Sequence, residues 1–256
     1  MDTLSHAPLR VGHGPHPVFF LPGWLGPDLS WGELHRWIDG QSFTAVFFEP
    51  RGMGARLQEE GDHSIVEMAW DVLALADELG WPEFSLVGHD MGAMVAQRVL
   101  MEAPERVFRL VGVCPVPASG FPLDAGSQAC FMQAADDLQV RRALLDLLTA
   151  NRLPGTWLDQ QVQHSALQLQ PEAFLGYVQA WTGQDFAVVV EGAPHPMLAL
   201  VGAHDPALTE AFVRETWMEA FPHAHIRILP SASHYPAHET PLHLVQVIER
   251  FLSAGR

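Results

Sequence analysis

Phe84-Ser85-Leu86-Val87-Gly88-His89-Asp90-Met91-Gly92 is the stretch whose reading decides the fold. Phe84 to Val87 suits a buried strand, and a helix is expected from Met91 to Met101, stopping near Pro104. Between them lies a turn with a glycine on each side of the His-Asp-Met triplet. A strand, a tight turn and a helix in direct succession force the central residue, Asp90, into a strained conformation. Its side chain is left standing above the end of the strand. The backbone N–H of Met91, at the helix start, can donate to negative charge there.

Outward from this turn the same alternation recurs. Val18 to Leu21 reads as a buried strand ended by Pro22-Gly23, and Thr44 to Phe48 as another ended by Pro50-Arg51-Gly52. Arg109 to Val113, Met197 to Val201 and His225 to Leu229 complete six strands. Ile65 to Leu79 carries apolar residues at helical spacing and stops at Gly80; Trp70 within it is read as core. Further helices are expected from Thr209 to Phe221 and from Pro241 to Leu252, with Pro241 at a favourable first-turn position. Strands alternating with helices imply an α/β fold, a mostly parallel sheet with helices on both faces. From about Pro117 to Gly192 the rhythm breaks into helices alone, such as Asp136 to Thr149, Trp157 to Leu169 and Pro171 to Trp181. The expected organisation is a core of residues 1–116 and 193–256, with a helical lid inserted at 117–192.

Composition narrows the function classes. The 256 residues carry a formal charge of −16, which argues against nucleic-acid backbones and anionic membranes as partners. All 14 basic residues are arginine, so mechanisms that need a lysine amine are excluded. Cys114 and Cys130 stand in no CxxC or zinc-type spacing. Met1 to Pro17 has no apolar run suited to a signal peptide, and no run of about 18 apolar residues occurs. The expectation is a cytoplasmic protein without a cofactor or metal, acting on a small molecule that is hydrophobic or aromatic. Oligomeric state is not readable.

In open parallel sheets, ligands bind at the carboxyl ends of the strands. After Met197 to Val201 comes Gly202-Ala203-His204-Asp205-Pro206, which leaves Asp205 in a polar turn. After His225 to Leu229 comes Ser231-Ala232-Ser233-His234-Tyr235-Pro236. The pairs His89-Asp90 and His204-Asp205 are not read as a metal site, because each follows a strand at a turn and lacks further ligands in reach of the pattern. The turn at Asp90 matches the G-x-Nu-x-G pattern, and the chain order nucleophile, acid, histidine accompanies it.

Here the chain resembles the α/β-hydrolase superfamily along nearly its whole length. The matching pieces are Leu21-Pro22-Gly23-Trp24, Pro50-Arg51-Gly52-Met53-Gly54, Gly88 to Gly92, Gly202 to Asp205, and Ser233 to Pro236 with Glu239-Thr240-Pro241. The resemblance implies that Asp90 is the nucleophile, His234 the base, and Asp205 the acid that orients it. It also implies that Trp24 and Met91 supply oxyanion N–H groups.

Aspartate at this position alters the chemistry. It is ionised near pH 7 and needs no activation, but its attack on an ester would give a high-energy mixed anhydride. A carboxylate suits displacement at a saturated carbon, giving an alkyl ester that a His234-activated water then hydrolyses. The resemblance to epoxide hydrolases and haloalkane dehalogenases implies this route, with epoxide opening favoured. Dehalogenases carry Trp after the nucleophile, where this chain has Met91. Epoxide hydrolases carry two lid tyrosines, where this chain has only Tyr177. Tyr177 with Trp181 or His164 is the candidate donor pair, Tyr235 is another donor, and Trp157 is a candidate pocket residue. Two alternatives stay open: a non-hydrolytic enzyme of secondary metabolism using Asp90 as a general base, and a ligand-binding protein in which aspartate has replaced serine.

Overall fold

The strand that leads to Asp90 lies in the middle of the sheet. A computed structural model describes residues 8–254; residues 1–7, the front of the stretch read for a leader, lie outside that range. The strands are β1 (Leu9–Val11), β2 (His16–Leu21), β3 (Phe43–Phe47), β4 (Phe84–His89), β5 (Val107–Val113), β6 (Met197–Gly202) and β7 (His225–Leu229). They form one seven-stranded sheet in the order β1-β3-β2-β4-β5-β6-β7. All neighbours are parallel except β1, which runs antiparallel to β3. β4 and β6 are buried at every position, which is why β6 reads as an unbroken apolar run and Phe84 to Val87 of β4 as one interrupted only by Ser85. β1 escapes such a reading because it is a three-residue edge strand with two exposed residues. β5 begins two residues earlier than Arg109, at Val107.

The first helices are α1 (Pro27–Trp31), α2 (Ile65–Glu78) and α3 (Met91–Glu102). Ser64 caps α2, its Oγ accepting from the N–H of Glu67 at 3.1 Å. The core face of α2 is Ile65, Met68, Ala69, Val72, Leu73 and Ala76. Trp70 is not core: it is 53% exposed. One residue past Ala69 the helix has turned by about 100°, which carries the indole off the buried face.

Between β5 and β6 lie α4 (Ala125–Gln133), α5 (Leu138–Leu148), α6 (Gly155–Gln168), α7 (Pro171–Gly183) and α8 (Ala187–Val190). The first and last were not expected; α4 has no buried residue and so no stripe to read, and α8 is a single turn. α5 starts at Leu138 because Asp137 caps it, accepting from Gln139 and Val140. Arg141 is buried and ties this block together. Its guanidinium donates to the carbonyls of Ala134 and Ala135 and to Ser165 Oγ, and it lies over the ring of Phe174 at 4.7 Å. The block meets the sheet loops where Gln170 N–H donates to Gly52 O at 2.9 Å and Leu169 bridges to Met53. The chain closes with α9 (Glu210–Ala220), α10 (Pro236–Glu239) and α11 (Pro241–Leu252). Among the described residues no helix is long and apolar enough to cross a membrane.

Candidate active site

The turn after β4 is sterically closed to anything but glycine at its flanks. A Cβ on Gly88 would stand 2.3 Å from Gly92 O, and one on Gly92 would stand 2.1 Å from Leu21 O. Between them Asp90 takes φ 51° and ψ −119°, a left-handed conformation that costs a non-glycine residue about 1–3 kcal/mol. The backbone is pinned there: Asp90 N–H donates to Val113 O at 3.0 Å, and its carbonyl accepts from Ala93 N–H at 3.0 Å. The side chain is thereby driven over the loop that follows β2, the neighbouring strand. Gly23 in that loop lets the carboxylate approach, since a Cβ would sit 2.9 Å from Asp90 Oδ2.

The next residue in the loop, Trp24, donates its backbone N–H to Asp90 Oδ2 in a long hydrogen bond of 3.5 Å. The N–H of Met91 also acts on this carboxylate. The second oxygen, Oδ1, lies 3.7 Å from His234 Nε2. His234 Nδ1 donates to Asp205 Oδ2 at 2.8 Å. Asp205 Oδ1 in turn accepts from the N–H groups of Ala207 and Leu208 at 2.9 and 3.0 Å. Asp90, Asp205 and His234 are all buried. The structure thus brings together all five residues named for catalysis and the oxyanion: Asp90, His234, Asp205, Trp24 and Met91.

Burial lifts the pKa of Asp90 above the usual carboxylate value, opposed by His234 and by the N–H groups of Met91 and Trp24. Burial also opposes the charge of Asp205, but His234 and the two N–H donors outweigh it and hold that carboxyl low. For His234, burial works against the cation, and the Asp205 and Asp90 carboxylates outweigh it, so its pKa is raised. His89 is different. Burial, joined by the His234 charge, lowers its pKa to about 3, so it is neutral. Its Nε2 lies 2.8 Å from the His234 carbonyl, which can only accept, so that nitrogen carries the proton. His89 therefore ties the Asp90 turn to the His234 loop, a role the sequence did not signal.

Cys114, also unsignalled, follows β5 with its Sγ 3.6 Å from Ser233 O. Cys114, Asp205 and His234 are the described residues whose potential ligand atoms come within 4.8 Å of one another. The Asp205–His234 pair is already joined by its hydrogen bond, and burial pushes the Cys114 thiol well above its usual range. The group fits an orienting cluster better than a metal cage.

A cavity of about 300 Å³ opens over Asp90 and His234. From the core it is walled by Trp24, Val116 and Leu208, and from α4, α5 and α7 by Phe131, Leu144 and Trp181. Of the five pocket candidates read from the sequence, only Trp181 lines it. Tyr177 points elsewhere, its hydroxyl donating to Arg51 O at 2.7 Å. Trp157 packs on His238, to which its indole donates at 3.4 Å. His164 pairs with Asp28 at the surface. Tyr235 is buried against the rings of His89 and His234, outside the cavity lining.

A family model described as the Alpha/beta hydrolase family matches residues 18–245. The chain belongs to the alpha/beta hydrolase family. At 26% identity this hydrolase is similar to "3-oxoadipate enol-lactonase 2" of Acinetobacter baylyi, over 98% of the chain and 97% of that protein. It is 33% identical to "Epoxide hydrolase 2" of Siraitia grosvenorii, but over only 40% of the chain and 33% of that protein. Among solved structures, a bromoperoxidase from Bacillus anthracis superposes with a TM-score of 0.84 at 19% identity, covering 95% and 94% of the two chains. That likeness shows the fold of this α/β-hydrolase.

Proposed function

We propose that this α/β-hydrolase acts on uncharged, apolar molecules at a saturated carbon, through an alkyl ester of Asp90. The observation that carries this reading is the split between the two carboxylate oxygens. Oδ2 faces the Trp24 N–H and so occupies the oxyanion hole itself, while Oδ1 is turned toward His234. A hole filled by the nucleophile's own oxygen has no room for a substrate carbonyl, which counts against direct ester hydrolysis.

In the first step Oδ1 attacks carbon, the carbon–leaving-group bond breaks, and the leaving group takes the bonding pair. In the second, water attacks Cγ of the ester while His234 Nε2 takes its proton. The developing charge falls on Oδ2, at which the N–H of Trp24 already points, while the N–H of Met91 acts on the same carboxyl group. Collapse expels the alcohol, which takes the proton from His234, and Asp90 keeps one oxygen from water. Asp205 holds the imidazole in the tautomer that leaves Nε2 free as the base. Saturated carbons open to this attack include epoxides and carbon–halogen bonds. The partial match to a relative named epoxide hydrolase supports the first. The placement of Tyr177 and Tyr235 outside the cavity removes the tyrosine donors that version was expected to use.

A single turnover in heavy-oxygen water tests the route. The label is expected in the Asp90 carboxylate after digestion, and unlabelled Asp90 beside labelled product would overturn it. With His234→Gln the ester is expected to persist as a mass increase on the peptide containing Asp90.

A further inference from the structure

The turn after β5 carries a side chain that neither step of the proposed route uses. Cys114 is buried and takes φ 42°, a left-handed conformation that glycine adopts freely and other residues resist. It also precedes Pro115, which narrows its backbone further. The conformation is pinned from two sides. Cys114 N–H donates to Leu200 O in β6 at 2.7 Å, and Val113 O, one residue earlier, accepts from Asp90 N–H at 3.0 Å. Glycine would satisfy that backbone, so what cysteine adds there is its thiol.

The thiol sits against the acid–histidine pair. Its Sγ, a carboxylate oxygen of Asp205 and a ring nitrogen of His234 lie within 4.8 Å of one another. Sγ is also 3.6 Å from Ser233 O, the carbonyl just before His234. A carboxylate accepts about four hydrogen bonds, roughly two to each oxygen. Asp205 Oδ1 accepts from the N–H groups of Ala207 and Leu208, while Oδ2 accepts from His234 Nδ1 and has room for one more. Rotation about the Cβ–Sγ bond swings the thiol proton between Ser233 O and the carboxylate without moving a heavy atom. The charged acceptor makes the stronger bond. Burial, joined by the charge and hydrogen bond of Asp205, holds the proton on sulfur. That leaves the thiol a poor nucleophile and an available donor.

We propose that Cys114 is a positioning residue whose thiol donates to Asp205 and so sets how much of the carboxylate's charge is left for the imidazole of His234. The proposal rests on the reading of His234 as the base that hydrolyses the Asp90 ester. A thiol is a weak donor. It steadies the carboxylate but takes little of its charge, so His234 keeps a strong partner for the cation it becomes. A hydroxyl in the same place would take more of that charge and weaken the base. With no donor there, the charge would fall more fully on His234 and strengthen it. The other titratable groups that face His234 are Asp90 and neutral His89 in the turn after β4, Tyr235 beside it and Glu239 on α10. All of them stay in place when only Cys114 is changed.

Cys114→Ser and Cys114→Ala separate a donor from a filler. Both new side chains are smaller than cysteine and inherit the same φ, so lost volume or strain would move His234 the same way in each. Donation moves it in opposite directions. The titration of His234 is read in the free enzyme from its ring-proton NMR resonances, assigned by their loss in His234→Gln; the same spectra report a folded chain. Its midpoint is expected to fall by about half a pH unit in Cys114→Ser and to rise by about half a unit in Cys114→Ala, the scale of one weak hydrogen bond. The acid limb of Asp90-ester hydrolysis, with the ester raised by 1-bromohexane or 1,2-epoxyhexane and followed by mass, is expected to move in the same order. Equal midpoints in the three chains, or shifts of one sign in both variants, overturn the proposal and leave His234 standing as the base. Ordered midpoints with no Asp90 ester from either reagent would uphold the link from Cys114 to His234 and overturn the alkyl-ester reading instead.

Discussion

Asp90 and His234 face opposed demands that a serine in the same turn would not. The carboxylate must be ionised to attack, yet burial favours its neutral form. The imidazole must be neutral to take a proton from water, yet the Asp205 and Asp90 carboxylates favour its cation against burial. Esterification of Asp90 removes one of those two charges and leaves Asp205 at 2.8 Å. The raised pKa makes the imidazole a stronger base and moves the loss of its neutral form to higher pH. Hydrolysis of the ester should therefore fall away as pH drops through the pKa of His234, at a lower pH than in the free enzyme because the Asp90 charge is gone. Single-turnover decay of the ester against pH measures that limb. Asp205→Asn is expected to bring it below 6.5 and to slow the step by on the order of 10³-fold, because the amide no longer fixes the tautomer or stabilises the cation. An unchanged limb in that variant would separate Asp205 from the base.

At the scale of elements, α7 decides what the cavity sees. Tyr177 and Trp181 are four residues apart, on one face of the helix and about 6 Å apart along its axis. Both are buried. The start of α7 is tied to the loop after β3 through Gln170 N–H and Gly52 O, which sets Tyr177 over Arg51 and leaves Trp181 at the cavity. The sequence names both residues as candidate donors, by the resemblance to epoxide hydrolases with their lid tyrosines. It does not say which of them meets Asp90, since that depends on how the helix docks. Tyr177→Phe is expected to leave ester formation on Asp90 within about twofold. It should cost about 1 kcal/mol of stability, the usual net worth of one hydroxyl-to-carbonyl hydrogen bond, readable in urea unfolding. A loss of ester formation of 100-fold would return Tyr177 to the chemistry.

Across the whole molecule, the fold and the reacting residues are legible for one reason and the cavity is illegible for another. β4 and β6 are buried on both faces, so their runs stand out, and Asp90, Asp205 and His234 lie within five residues of the carboxyl ends of β4, β6 and β7, where sheet geometry gathers them. The cavity wall is drawn from helices whose faces meet it only after docking, so Phe131, Leu144 and Leu208 carry no mark in the sequence, and Trp157 and His164 carry a false one. Charge is legible at both scales and bears on the substrate. The chain has a formal charge of −16, and no arginine lines the described cavity. An anionic substrate would be repelled at long range and then buried without a partner, which costs several kcal/mol. 6-Bromohexanoate is therefore expected to react at least about 100-fold less efficiently than 1-bromohexane in kcat/KM. The two contributions separate by ionic strength, since salt screens the long-range repulsion and barely touches a buried mismatch. Raising sodium sulfate should lift kcat/KM for the anion several-fold and leave the neutral bromide unchanged. Equal turnover of the two at low salt would mean that a cation reaches the cavity from outside the walls described here, and the neutral-substrate reading would fall.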